Sequence, residues 1–540
     1  MRHFLALTIG STDNTLNMAQ NTRELWLASY TLSTVTIICI PLITSTNGTL
    51  ISPIPVSSTQ ATYGAGVYPD RIYWELISPL DNDSMISIQN TAYDCLVAES
   101  NNQVSPEEWR DFLRLIWIQA SWNDDELKAS SFLTRLNDLL DTAELSANWE
   151  HKNQTDILSK LIAKGKFNDA RKRPIYQWRE KSLTPGDELT KKSFIKYGEV
   201  TRYHSIVEIT TRPLKRYDEN WYIEHIENVI SDKLINGEEN KIAEDSFISL
   251  LKKKHGKKFM AAHKYICIVQ SDGDGVGELL KSLKNDDIKI RLFSQCLNKF
   301  AISATKRVVE FGGIPVYSGG DDLLFLAPVH NYQKDDENIL HLLNELNELF
   351  QENFKHTEFA DYILSQSFGL SISYYKHPLQ EAYKTAEDFL VKRAKKHKEN
   401  GVSKNSISFK ILKHSGQYVE ATLGISGAFS KAFMKLMDAY KKEDSRFLSS
   451  IMFQLNQQKA VLALVAHDSD GLSCYFRNNF NEKTHFENKD LLKGIENLVS
   501  IQFTENPCND DDNVRDANLK RIFACLKFIH FLRAKDNIEN

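Results

Sequence analysis

Two stretches decide the reading of this chain: Tyr265-Ile266-Cys267-Ile268-Val269-Gln270-Ser271-Asp272-Gly273-Asp274-Gly275-Val276-Gly277 and Ile314-Pro315-Val316-Tyr317-Ser318-Gly319-Gly320-Asp321-Asp322-Leu323-Leu324-Phe325-Leu326. Each sets carboxylates at the end of a short apolar run. In the second, Gly319-Gly320 reads as a tight hairpin turn between two buried strands. A strand end and a hairpin tip can together place oxygen ligands around a pair of hard cations, Mg²⁺ or Mn²⁺. Such a site holds a nucleoside triphosphate for in-line attack at phosphorus, so the pattern points to nucleotidyl transfer. Asp272 and Asp321 are the first candidates for metal ligands and catalysis, with Asp322 next. Asp274 fits a phosphate-side position. Gly273, Gly275 and Gly277 precede a helix whose N-terminal N–H groups suit triphosphate oxygens. Gly319 and Gly320 let backbone approach a phosphate closely. Ser318 fits either a nucleotide contact or the hairpin itself.

The rest of the chain sets bounds. Its 540 residues exceed one ordinary core, so several domains are expected. A net charge of −5 argues against binding of free nucleic acid by bulk electrostatics. Seven scattered cysteines without a CxxC pair fit reduced thiols and exclude a four-cysteine zinc site. The apolar run Thr31–Ile43 is too short to span a bilayer and contains Pro41. No membrane is expected, and the placement is cytoplasmic.

Periodicity predicts a strand over Phe4–Ile9, a helix over Asn14–Ser33, a strand over Val35–Ile40, and helices over Pro106–Ala120 and Asp124–Leu145. A charged, weakly periodic region follows to Gly256. Then come a strand at Lys264–Gln270, helices at Gly277–Lys284 and Ile290–Phe311, the hairpin, a helix at Glu337–Asn353, a strand at Leu364–Tyr375, a helix at Pro378–Lys398 and a strand at Ser406–Leu412. Beyond Gly416 the pattern is helical. The order is that of a ferredoxin-like palm, an antiparallel sheet with helices on one face. The fold class is α+β: two ferredoxin-like palm domains, a helical middle insert and a helical C-terminal domain. The expected divisions are 1–130 (first palm), 131–255 (insert), 256–415 (second palm) and 416–540 (helical).

These motifs resemble the large polymerase-like subunit of type III CRISPR effector complexes, Cmr-type branch. Thr8-Ile9-Gly10, Asn21–Trp26, Ser29–Ser33 and Pro69-Asp70-Arg71 look like that family's first palm. Asp272-Gly273-Asp274 with Gly277, Ser318–Asp322, Ser367-Phe368-Gly369, His377-Pro378-Leu379, Ala394-Lys395 and Lys404-Asn405 look like its second. The resemblance implies a subunit that works with partner proteins, guide RNA and target RNA, and that joins ATP into cyclic oligoadenylates once target is captured. It also implies that Lys395 reaches a triphosphate. Two ATP molecules would sit between the palms, a donor on the Asp272/Asp321 metals and an acceptor offering its 3′-hydroxyl. The family's N-terminal HD nuclease is not expected, because the first palm begins at the first methionine. The zinc site of the family's central region is not expected either, because Arg171–Asp187 holds no cysteine. Some members without the nuclease transfer AMP to S-adenosylmethionine, and that acceptor stays open. Carboxylates facing the acceptor would favour the sulfonium, and a second basic cluster would favour cyclisation. A diguanylate cyclase fits less well, since Leu323 replaces an aromatic, and a non-catalytic scaffold is the remaining alternative. Arg23 and Trp26 read as core anchors. His467-Asp468 lacks the partners of a hydrolase site, and the basic stretches Lys164–Arg173 and Lys252–Lys258 read as solvated faces.

Overall fold

A computed structural model describes residues 1–10, 12–44, 47–55, 65–100, 102–146, 157–164, 204–231, 241–399, 401–440, 445–480, 489–507 and 511–535. Two sheets organise it. The first joins β1 (Arg2–Gly10), β2 (Gly48–Ser52), β3 (Arg71–Leu76) and β4 (Arg114–Trp122) in the order β2-β3-β1-β4, all antiparallel. The second joins β5 (Tyr265–Asp274), β6 (Ile314–Gly319), β7 (Asp322–Pro328) and β8 (Ser365–Tyr374) in the order β8-β5-β7-β6. A separate two-stranded ribbon, β9 (Lys398–Glu399) with β10 (Val402–Ser403), comes before the next strand. β11 (Ser406–Leu412) adds parallel to β8, and β12 (Tyr418–Gly424) adds antiparallel to β11. Numbered within each palm, the order is 4-1-3-2 in both sheets, which is the ferredoxin-like arrangement. The fold is therefore α+β with two palms, and helices Ala428–Ala439, Ser445–Gln457, Lys459–Val465, Ser469–Asn479, Lys489–Glu505 and Asp512–Arg533 form the C-terminal part.

Four local expectations are corrected. Val35–Ile40 is not a strand but lies inside the helix Thr22–Thr44. Its buried residues Leu25, Ala28, Leu32, Val35, Cys39 and Ile43 follow helical spacing. The hydroxyls of Thr31, Thr34 and Thr44 donate to carbonyls four residues back, so β-branching does not break the helix. This is the one described helix long and apolar enough to cross a membrane by length and composition, yet much of its apolar surface is buried inside the protein. Pro106–Ala120 splits into a short helix, Pro106–Phe112, and β4, which pairs with β1 along its whole length from Arg2–Trp122 to Gly10–Arg114. The open edge of β1 demanded a partner, and the run Leu115-Ile116-Trp117-Ile118 supplied one. After Gly416 the chain first forms β12 before turning helical. Lys395 sits in a 3₁₀ turn, Ala394–Lys396, beyond the helix Leu379–Lys392 rather than within it.

The palms lean on one another. Gly66, on the connection between β2 and β3, pairs with the edge of β6: its N–H donates to Val316 O at 3.2 Å, and Ser318 N–H donates to Gly66 O at 2.7 Å. Ser29 Oγ donates to the same Val316 carbonyl at 2.7 Å. A Cβ on Gly66 would stand 2.7 Å from Ser29 Oγ, so glycine is required for this approach. Leu5, Leu7 and Ile72 of the first palm share one core with Ile266, Ile268 and Leu324 of the second. Of the stretch 164–173, only Lys164 lies within the described residues, and 171–187 lies wholly outside them.

Candidate active site

The site grows out of the two turns. β5 runs on to Asp274, and Gly275 caps the next helix, Val276–Leu283, at a φ of 82°. A Cβ there would meet Ile363 O at 2.7 Å, so this turn demands glycine twice over. In the hairpin, Gly319 pairs with Asp322, which makes Gly320 and Asp321 the two turn residues. Gly320 has a φ of 68°, as the first central position of a primed turn requires. Gly319 lets the Tyr317 phenol fold back over the hairpin, and a Cβ would collide with that hydroxyl. At Gly273 a Cβ would lie 2.6 Å from Asp321 Oδ2. That glycine is therefore what lets the hairpin carboxylate lie against the strand end.

The result is a cluster. One ligand atom from each of Asp272, Asp321 and Asp322 lies within 4.8 Å of the others. Enclosure by protein, then the neighbouring Asp272 carboxylate, pushes Asp321 up to about 6. Enclosure, then Asp321, Asp272 and Asp70, holds Asp322 well above the usual carboxylate range. Asp322 keeps contact with water on its open side, so the like-charge crowding is the part that a bound cation would relieve. Three clustered carboxylates, two of them reluctant to ionise, form a hard-oxygen donor set that fits a divalent cation.

Asp274 does not join the trio. Its buried carboxylate accepts from Ser365 Oγ at 3.0 Å, Ser367 Oγ at 2.7 Å and Asn405 N–H at 2.9 Å. Its other oxygen takes Lys395 Nζ at 2.8 Å. Lys395 also donates to the carbonyls of Asp272 and Gly273, both at 2.8 Å, and pairs with Asp272 Oδ1 at 3.0 Å. The ammonium thus clamps the strand-end loop from behind. Ser318 is fully buried, and its hydroxyl donates to Ala301 O at 3.2 Å. Its side chain faces the helix Asp287–Phe311, away from the opening. Gly277 sits in the first turn of its helix with open space beside it.

In front of the trio lies a cavity of about 860 Å³, shared by the two palms. Asp272 and Asp322 line it from the second palm, with Gln270, Tyr317, Tyr383 and Glu387. Asp70, Asp141, Glu144 and Arg114 line it from the first. Among the described residues, six carboxylates therefore face one guanidinium in the wall. A second guanidinium, Arg71, bridges Asp141 at 2.6 Å and Glu144 at 3.4 Å. Burial holds Asp70 above its ordinary range, against the pull of Arg71. The motif search missed this acidic wall, because Asp141 and Glu144 lie on the helix Phe132–Ser146, far from either turn in the chain. The signal available was Pro69-Asp70-Arg71, a charged pair opening a strand.

Other singled-out residues have structural partners. Trp26 is buried and stacks on Tyr30. Asp468 caps the helix Ser469–Asn479, and His467 meets the ring of Phe503 edge-on. Lys254 pairs with Asp218 at 2.9 Å, and Lys258 lies over the Tyr217 ring.

Known proteins are similar to part of this sequence and to its fold. The model of the Cas10/Cmr2 family's second palm domain matches residues 265–408. CRISPR system Cmr subunit Cmr2 of Pyrococcus furiosus is 27% identical over 185 residues, 30% of this chain. That alignment spans only 20% of the relative's length. Among solved structures, a type III-B Cmr-beta complex bound to cognate target RNA contains a chain similar at a TM-score of 0.52 and 12% identity, covering 91% of this chain and 78% of that one. A Csm1–Csm4 cassette in complex with pppApA gives a TM-score of 0.48 at 10% identity, over 99% and 69%. Residues 265–408 are a Cas10/Cmr2 second palm domain.

Proposed function

We propose that this chain is the metal-dependent nucleotidyltransferase subunit of a type III CRISPR ribonucleoprotein complex, switched on by target RNA and working in the cytoplasm. ATP is the donor. The observation that carries the reading is the cluster of Asp272, Asp321 and Asp322 at the mouth of a cavity closed by a second palm. These three residues would hold Mg²⁺ or Mn²⁺, which when bound supplies charge neutralisation and lowers the pKa of an acceptor hydroxyl. That hydroxyl oxygen bonds to the α-phosphorus of ATP, the bond to pyrophosphate breaks, and the hydroxyl proton leaves to water. The chain's own residues orient the partners. Gly273 and Gly275 shape the loop beside the phosphates, and Lys395 fixes that loop while placing a positive charge next to it. The first palm supplies the acceptor wall.

Cyclic oligoadenylate is the product expected from the family resemblance, with a second ATP as acceptor. The acidic wall favours the other acceptor. A second triphosphate would add about four negative charges against Asp70, Asp141, Glu144 and Glu387, with Arg114 as the one basic group in the lining. S-adenosylmethionine brings a sulfonium and an ammonium, which this wall suits. The assembled complex with target RNA, ATP and Mn²⁺, with and without S-adenosylmethionine, read by mass spectrometry, decides. An AMP adduct that forms only with S-adenosylmethionine supports the cationic acceptor, and oligoadenylates without it support cyclisation. No product in either mixture would leave the chain as a scaffold.

A further inference from the structure

Behind the two carboxylate-bearing turns runs a buried chain of amides that neither turn motif contains. Gln366 Nε2 donates to Asp321 O at 2.8 Å. The backbone N–H of Gln366 donates to Asn347 Oδ1 at 2.8 Å, and Asn347 Nδ2 donates to Asn405 Oδ1 at 3.2 Å. Asn405 N–H then reaches the Asp274 carboxylate, whose other oxygen holds Lys395, and Lys395 holds the Asp272 carbonyl. The relay leaves the hairpin tip, passes through β8, the helix Ile339–Lys355 and the start of β11, and returns at the strand end. We infer that Gln366, Asn347 and Asn405 are positioning residues that set the spacing between Asp321 and Asp272, and so tune cation affinity at the site. The inference rests on the metal reading of the carboxylate trio proposed above.

Two features argue against simple fastening of the core. Lys404 and Asn405 are consecutive non-glycine residues in the left-handed region, with φ of 64° and 44°. Such backbone is strained and persists only where its surroundings impose it. Here it coincides with three bonds from Asn405: its N–H to Asp274, its Oδ1 from Asn347, and its Nδ2 to Ser426 Oγ at 2.8 Å. Gln366, in turn, is fully buried, and its Oε1 has no partner among the described residues. An apolar side chain of the same length would remove that unpaired acceptor and pack as well. What it could not do is hold the Asp321 carbonyl. A buried amide that leaves one oxygen unpaired while gripping the turn of a carboxylate cluster is placed for the cluster.

The test separates positioning from stability. Mn²⁺ binding to the full-length chain is followed by electron paramagnetic resonance, and each variant's melting temperature is measured alongside. Gln366→Met removes both the orphan acceptor and the bond to Asp321. Its melting temperature should change little, because one unpaired acceptor is removed while the Asp321 carbonyl loses its donor, whereas Mn²⁺ binding weakens by roughly 10–100-fold, the usual cost of losing an outer-shell partner. Unchanged Mn²⁺ affinity would overturn the inference. Should Gln366→Met not fold, Asn347→Asp carries the same comparison. It keeps the acceptor for Gln366 N–H and gives up the donor to Asn405, so affinity should fall several-fold, and wild-type affinity would again overturn the inference. If the wild-type chain takes up no Mn²⁺, the metal reading itself fails, and the relay loses its purpose with it.

Discussion

The two palms share a framework and differ in what they carry at one end of it. In the first, Thr8 stands opposite Arg71, and in the second, Ser271 stands opposite Leu323, each the last pair of its ladder. One step further along lie Ile9 and Asp70 in the first palm, and Asp272 and Asp322 in the second. The Asp70 position thus keeps a carboxylate where the second palm has Asp322, while an isoleucine replaces the strand-end ligand. The connection before β3 also runs from residue 53 to 70 instead of closing in a two-residue turn. A ferredoxin-like palm is therefore not itself a metal site. In the proposed reading three side chains and one tight turn would make it one, and without them the same end of the sheet is a wall of the shared cavity.

That division of labour can be broken most sharply in the second palm. Asp321→Asn should cut product formation in the assembled complex by more than ~100-fold, beyond the usual loss from an outer-shell change. Complex assembly and RNA binding, measured by co-purification, should be retained. Loss of assembly with activity per complex intact would reverse the roles assigned here.

In the first palm the effect should be smaller and of another kind. Asp70→Asn should leave Mn²⁺ affinity near wild type and raise KM for a cationic acceptor by roughly 10-fold, about one exposed-to-half-buried charge contact. Steady-state kinetics over both substrates would show it. A fall in kcat with unchanged KM would instead place Asp70 among the reacting groups.

The pH dependence of cation binding should follow the second palm's carboxylates. Asp321 titrates at about 6 in the folded chain, above an ordinary aspartate. The native state therefore holds a proton that the unfolded chain has released, and this group's contribution to stability falls as pH rises from about 4 through about 6. Cation binding replaces that proton, so Mn²⁺ affinity should rise with pH over the same window and its thermal stabilisation should be larger at pH 7.5 than at 5.5. Paired melting curves would check this, and a stabilisation independent of pH would count against it.

The smallest expected effects concern the glycines. Gly320→Ala, in open space at positive φ, should cost about 1 kcal/mol, whereas Gly275→Ala should cost more, because it adds a clash with Ile363 O to the same backbone strain. Denaturant unfolding would rank the two.

Much of this was legible along the chain and some was not, for physical reasons. The second palm could be read because its strands are continuous apolar runs and each turn is local: Asp272 and Gly275 act within one, Gly320 and Asp321 within the other. Val35–Ile40 misled because β-branched residues suit a strand intrinsically, while the heptad-like burial of Leu25 through Ile43 depends on both palms. β4 was hidden because its pairing partner, β1, lies more than a hundred residues earlier. The acidic wall and the amide relay were invisible for the same reason. Asp141, Glu387, Gln366 and Asn347 carry no local motif, and although Asp70 and Asn405 stand in Pro69-Asp70-Arg71 and Lys404-Asn405, only the packing of distant elements shows what they face.

The most direct test of the account compares Mn²⁺ binding to the full-length wild-type chain with binding to Asp321→Asn and Asp70→Asn. The account predicts binding in the wild type, its loss in Asp321→Asn and its retention in Asp70→Asn. Equal loss in both variants, or none in either, would contradict the claim that the second palm alone holds the metal.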